Sequence, residues 1–163
     1  MLEEISMSEN YTFDDFLASV DTENQEFVSE MHYELTKRGC KIVVNLAKSG
    51  YVVSYNLNKK VIANYVFRKK GLVARIYASH IAQYMDILDT LPDDMVQDIQ
   101  AAPICKRLVD PDTCNQKCSM GYDFVLKGER LRKCRNSAFM FSLSEENKPF
   151  IEALLLNEIE ACI

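Results

Sequence analysis

A chain of 163 residues, 48% hydrophobic and 26% charged, has the length and composition of one globular domain with a sizeable core, which excludes a chain disordered as a whole. The formal net charge of −5 is unevenly spread: residues 1–38 hold ten acids and two bases, whereas residues 104–135 hold eight bases and four acids. No stretch approaches the roughly 18 consecutive apolar residues of a membrane span, and "MLEEISMSENYTFDDF" has acids where a signal peptide has bases, so the chain reads as cytosolic.

In chain order, residues 1–11 are expected to form a flexible tail. Thr12 and Asp15 have capping-box spacing ahead of a short helix over residues 14–20. Thr22 and Gln25 repeat that spacing before a firmer helix, with Phe27, Val28, Met31 and Leu35 as its apolar stripe and Gly39 as its stop. Beyond Gly39 the period changes. "KIVVNLA", "YVVSYNL", "VIANYVFRK" and "LVARIYA" are short runs rich in valine, isoleucine and tyrosine, separated by turn signals at Ser49-Gly50, Asn58-Lys59 and Lys70-Gly71. Connections this short join antiparallel strands, because parallel neighbours need long crossovers. Alternation puts Val61, Ala63, Tyr65 and Phe67 on the better-buried face of the third strand.

Ser79 is placed to cap a further helix with the stripe Ile81, Tyr84, Met85, Leu88 and Leu91, ended by Pro92. "DDMVQDIQAA" reads as a short helix stopped by Pro103, "YDFVLKGERLRK" as a hairpin turning at Lys127-Gly128, and "AFMFSLS" as a strand. Ser144 is expected to open a last helix carrying Phe150, Leu154, Leu155 and Ile159, with Glu145 and Glu146 in its first turn. The fold class is therefore α+β in a single domain over residues 1–163. It consists of an antiparallel meander of about four strands plus a C-terminal hairpin and strand, with flanking helices.

Four of the six cysteines fall in the cysteine-rich segment 104–135, at Cys105, Cys114, Cys118 and Cys134. In a reducing compartment such a group points to metal ligands or redox thiols more than to permanent disulfides. Bases adjoin three of the four: Lys106 and Arg107, Lys117, and Lys133 with Arg135. Neighbouring cations favour the thiolate, which is the form that binds metal. Four thiolates suit a closed structural zinc site, with an iron–sulfur cluster as the runner-up. Only Cys114 and Cys118 form a close pair of the zinc-ribbon kind, so two other readings stay open: a redox pair at Cys114/Cys118, or inert buried thiols. Position 121 is Gly121, which removes a radical-type three-cysteine motif, and His80 is followed by Ile81 and Ala82, which removes the His-x-Glu of deaminases. Cys40 reads as structural, and Cys162 as exposed or frayed at the terminus.

His32 and His80 read as surface or partly buried histidines without a catalytic role. Arg68, Lys69 and Lys70 cluster at a hairpin tip and offer a second route to function, as a basic wing against nucleic-acid phosphates. Tyr51, Tyr55, Tyr65, Phe67, Tyr77, Phe139 and Phe141 fit either a ligand pocket or core packing. There is no Gly-rich phosphate loop, nucleophile elbow or His-Glu-x-x-His, so the balance leans away from an enzyme.

"KSGYVVSY", "NYVFRKKGLVARIY", "CNQKCSMGYDF" and "KCRNSAFMFSL" resemble a small uncharacterised bacterial family of the Firmicutes, over roughly residues 25–160. More distantly, the helix, meander and helix order is similar to YjbR-type double-wing α+β proteins, which implies DNA binding. The cysteine-rich C-terminal third departs from that pattern. The expected function is a cytosolic binding or interaction module with a structural four-cysteine zinc site, engaging a protein or small molecule and no membrane. A thiol redox enzyme or sensor using Cys114/Cys118 and a nucleic-acid binder are the alternatives.

Overall fold

Thr12 starts the first helix with both bonds of a capping box. Its Oγ1 accepts from the Asp15 amide at 3.2 Å, and the Asp15 carboxylate accepts from the Thr12 amide at 2.9 Å. The computed structural model describes residues 11–109 and 121–162. The tail expected over residues 1–11 lies outside them except for Tyr11, which packs edge-on against Tyr51 at 5.4 Å. Helix α1 (Phe13–Ser19) buries Phe16, and α2 (Thr22–Lys37) buries Val28, Met31 and Leu35. The spacing of Thr22 and Gln25 predicts a second capping box, but Asp21 holds the N-cap position without a side-chain bond. Gln25 Nε2 donates instead to Leu17 O and Val20 O at 3.2 and 3.0 Å. The carbonyls at the end of a helix have no partner within it, and those of α1 lie within reach.

Four strands follow as an antiparallel meander: β1 (Lys41–Ala47), β2 (Gly50–Leu57), β3 (Lys60–Arg68) and β4 (Gly71–Ile76). Asn58 and Lys59 take φ of +53° and +69°, the doubly left-handed turn that matches strand twist in a two-residue hairpin. The buried face of β3 differs from simple alternation. The register shifts between Tyr55 and Asn56, leaving Ile62 as an extra residue, and beyond this bulge the faces exchange. Ile62 is buried while Val61 is 38% exposed.

Two 3₁₀ turns, Ile81–Gln83 and Met85–Thr90, stand where the apolar stripe predicts an α-helix. Ser79 does not cap them, since its Oγ accepts from Arg135 Nη2 at 2.8 Å, while the His80 amide donates to the Glu158 carboxylate at 3.0 Å. Helix α3 (Asp93–Ala101) buries Met95, Val96 and Ile99, and α4 (Lys106–Val109) is a single turn. A separate hairpin is formed by β5 (Tyr122–Leu126) and β6 (Glu129–Lys133), turning at Lys127-Gly128. Strand β7 (Met140–Ser142) then pairs with β4, giving a five-stranded sheet of order β1-β2-β3-β4-β7. Phe139 joins the two sheets by packing on Tyr122 and Phe124, at 5.0 and 5.5 Å between ring centroids.

The last helix, α5 (Lys148–Cys162), begins four residues after Ser144, whose carbonyl and Oγ cap the turn before it. Glu145 and Glu146 thus precede the helix, and Glu145 pairs with Lys148 Nζ at 2.9 Å. Helix α5 packs across β3 and β4 and against α2. Its anchors Ile151, Leu154, Leu155 and Ile159 are each at most 2% exposed, and burying each contributes about 1.5–3 kcal/mol. The same face carries Glu158 inward. Antiparallel sheet, separate hairpin and flanking helices make the fold α+β, as expected. Among the described residues no helix is long and apolar enough to cross a membrane.

Candidate functional site

The backbone brings together the two cysteines of the clustered four that lie among the described residues. Pro103–Cys105 adds to the free edge of β6: the Cys105 amide donates to Arg132 O at 2.9 Å and the Cys134 amide to Pro103 O at 2.8 Å, on either side of an Ile104–Lys133 bridge. Cys105 and Cys134 are therefore diagonal neighbours, a relation that puts Cα atoms roughly 7–8 Å apart. Cys105 is buried and its Sγ accepts the Gly121 amide at 3.3 Å. Gly121 has no room for a side chain, because a Cβ would lie 2.2 Å from Lys133 O and 2.7 Å from Cys105 Cβ. Cys114 and Cys118 lie outside the described residues.

The bases that flank these thiols are not all turned toward them. Lys133 is buried, and its ammonium donates to Gln100 O and Ala102 O at 2.7 and 2.8 Å, capping the C-terminal end of α3. Arg135 lies over the rings of Tyr77 and Tyr122 and donates to Ser79. For Lys133, the last residue of β6, strand geometry is the reason: successive side chains point to opposite faces, so it faces away from Cys134.

A second group forms where α5 crosses the end of β4. Glu158 is 1% exposed, and its Oε1 accepts the His80 amide at 3.0 Å and the Tyr84 hydroxyl at 2.6 Å. Its Oε2 accepts from His80 Nδ1 at 2.7 Å and from the Cys162 thiol at 3.5 Å. Cys162 is not frayed: it closes α5, is half-buried and packs against the core, one helical turn from Glu158. Burial and then the Glu158 charge hold its thiol above the ordinary range, against a smaller opposing pull from Lys60. Burial, followed by the bond to Glu158, pushes the Tyr84 phenol far upward, so it stays a donor.

His80, Glu158 and Cys162 edge a cleft of about 240 Å³, whose other walls include Leu57, Asn58, Lys60, Val61 and Ser79. The three are not a nucleophilic relay. In such a relay the two ring nitrogens of histidine bridge nucleophile and carboxylate. Here the thiol, at 3.9 Å, and the carboxylate both face Nδ1. The three ligand atoms lie within 4.8 Å of one another, close enough to share one cation.

His32 stacks on Phe13 and meets the Tyr55 hydroxyl, as a partly buried histidine. Tyr55, Tyr65, Phe139 and Phe141 are buried in the core, and Arg68, Lys69 and Lys70 are exposed at the β3–β4 turn. Sequence reasoning missed Glu158, which reads as an ordinary surface acid of a terminal helix. The one local signal was its i,i+4 spacing to Cys162.

Compared with protein-family models, curated proteins and solved structures, the chain matches none.

Proposed function

We propose that the protein is a non-enzymatic binding module of the cytosol whose C-terminal third is clamped by a structural zinc ion on Cys105, Cys114, Cys118 and Cys134. The observation that supports this reading is the meeting of Cys105 and Cys134, 29 positions apart in the chain, across the Ile104–Lys133 bridge, with the Gly121 amide on the Cys105 sulfur. Closed four-thiolate sites leave no position for water or substrate, so the metal acts on stability. Its effect is to tie the β5–β6 hairpin and the segment after α3 into one unit, which leaves the protein surface free to engage a protein or small-molecule partner.

Elemental analysis of protein purified without oxygen tests the clamp. The expected result is that Cys118→Ser removes one equivalent of zinc and lowers the melting temperature well below the parent. Iron with acid-labile sulfide would replace zinc by a cluster, and metal-free protein with an unchanged melting point would overturn the clamp. The nucleic-acid reading finds less support. The charge of Lys70 offsets part of the upward shift that burial and Asp94 impose on Asp98, so one of the three bases at the tip has an acid as its neighbour.

A further inference from the structure

Glu158 is an almost fully buried carboxylate, and a buried anion is costly unless its charge is matched. The group in ion-pair contact with it is His80, whose charge exists only while the ring holds a second proton. Two further electron-pair donors surround its Oε2: His80 Nδ1 at 2.7 Å and Cys162 Sγ at 3.5 Å, with 3.9 Å between them. Nitrogen, oxygen and sulfur ligands on tetrahedral zinc stand about 3.3–3.6 Å apart, from bonds of about 2.0–2.3 Å. The two separations from sulfur are already at or within a few tenths of an ångström of that range. The nitrogen–oxygen separation is shorter because a proton bridges the pair, and exchanging that proton for a cation opens it by about half an ångström.

We propose that His80 Nδ1, Glu158 Oε2 and Cys162 Sγ form a site for a zinc-class divalent cation, with its fourth coordination position open to the adjoining cleft. One nitrogen, one oxygen and one sulfur are the donors of zinc rather than of calcium or magnesium, which take oxygen shells. The scaffold presets the ligands. Glu158 and Cys162 share a face of α5, held by the buried Leu154, Leu155 and Ile159. His80 arrives from beyond β4 with its own amide fixed on Oε1, and the Tyr84 hydroxyl holds the same oxygen. These two donors leave Oε2 for the metal, which is how outer partners orient a ligating carboxylate. Three protein ligands and an open position mark a site that takes water or a ligand group, unlike a closed structural site. Lys60 on the cleft wall fits an anionic group there. On metal uptake the Cys162 thiol loses its proton, and the Nδ1 proton leaves or is replaced by one on Nε2, so one or two protons are released.

Zinc titration of the full-length, metal-stripped and reduced chain against a chromophoric chelator tests this site. One bound zinc should be lost, or weakened at least about tenfold, in both Cys162→Ser and His80→Asn, and kept in Cys118→Ser. Tyr84→Phe should weaken it by roughly 10–100-fold. Cobalt added to Cys118→Ser, which lacks the four-thiolate clamp, should still give a thiolate charge-transfer band, and adding Cys162→Ser on that background should abolish it. Uptake unchanged in His80→Asn, or lost only in Cys118→Ser, overturns the site and assigns the metal to thiols elsewhere. Should the variants not fold, the wild-type chain decides by peptide-resolved alkylation: zinc slows labelling of Cys162 if the site is real, and leaves it unchanged if it is not.

Discussion

His32 lies flat against Phe13, with ring centroids 3.8 Å apart and planes 10° from parallel, and its Nδ1 sits 2.9 Å from the Tyr55 hydroxyl. Burial holds the Tyr55 phenol in its protonated form, so its O–H is the donor and Nδ1 accepts. Burial also lowers the His32 pKa from its ordinary 6.5, with the nearby Asp14 opposing. The native ring therefore resists a proton that the unfolded chain takes up, and acid favours unfolding. Stability from this group is complete above about pH 6.5 and declines as pH falls below that value. Melting temperatures at pH 7.5 and 5.5 should show a larger drop for wild type than for His32→Gln, by no more than about 3 °C. Equal drops would mean that His32 titrates as a free histidine.

Gly121 separates steric from conformational cost. In Gly121→Ala the new Cβ would lie 2.2 Å from a backbone oxygen and 2.7 Å from Cys105 Cβ. Backbone cannot yield as a flexible side-chain end can, so the cost should reach the upper part of the roughly 1–3 kcal/mol seen for overpacking, or exceed it. Gly71→Ala meets no atom within 4 Å but must hold φ near +111°, at about 1–2 kcal/mol. Chemical denaturation should rank Gly121→Ala as the more damaging, and the reverse order would place Gly121 in a looser setting.

What was legible along the chain was local. The capping box of Thr12 and Asp15 and the left-handed pair Lys127-Gly128 depend on neighbours a few residues away, and both occur as read. Four short β-rich runs with tight turns left antiparallel pairing as the available topology. What was not legible depended on partners far along the chain. The exchange of Val61 for Ile62 on the buried face arises from a bulge in pairing with β2. The two 3₁₀ turns form where the His80 amide is taken by a carboxylate 78 positions away. Glu158 itself looks solvated until α5 is laid across β3 and β4, when its neighbours Leu155 and Ile159 draw it inside. For the clustered thiols, spacing brought Cys105 and Cys134 to attention but did not show that Lys133 turns its charge to α3.

Lys133 should matter for stability more than a basic residue in a basic segment suggests. Its side chain is buried and its ammonium donates to Gln100 O and Ala102 O, both at the end of α3. Hydrogen bonds from a charged donor contribute roughly 1.5–3 kcal/mol, and a cation at a helix C-terminus adds a smaller favourable dipole interaction. Lys133→Met keeps the apolar stem and removes the donors, leaving the carbonyls short of partners. A loss of about 2–3 kcal/mol, or a melting temperature lower by roughly 4–12 °C, is expected. A change within about 0.5 kcal/mol would show that water or another donor replaces the ammonium.

Cys40 and Cys162 should separate cleanly in reactivity, although both are free thiols. Cys40 follows the left-handed Gly39 into β1 and is 6% exposed, and burial, with a smaller effect from Cys162, pushes its thiol up to about 11. The reacting form is the thiolate, so at pH 8 very little of Cys40 is competent and the alkylating reagent must also reach a buried atom. Cys162 is shifted the same way but lies half-buried at the cleft edge, where a reagent has access. Timed iodoacetamide labelling of the reduced native protein, read peptide by peptide, should modify Cys162 first. Cys40 should stay unmodified until denaturant is added. If Cys40 labels at a rate near that of Cys162 under native conditions, the junction of α2 and β1 opens far more often than its packing implies, and burial is not what protects the thiol.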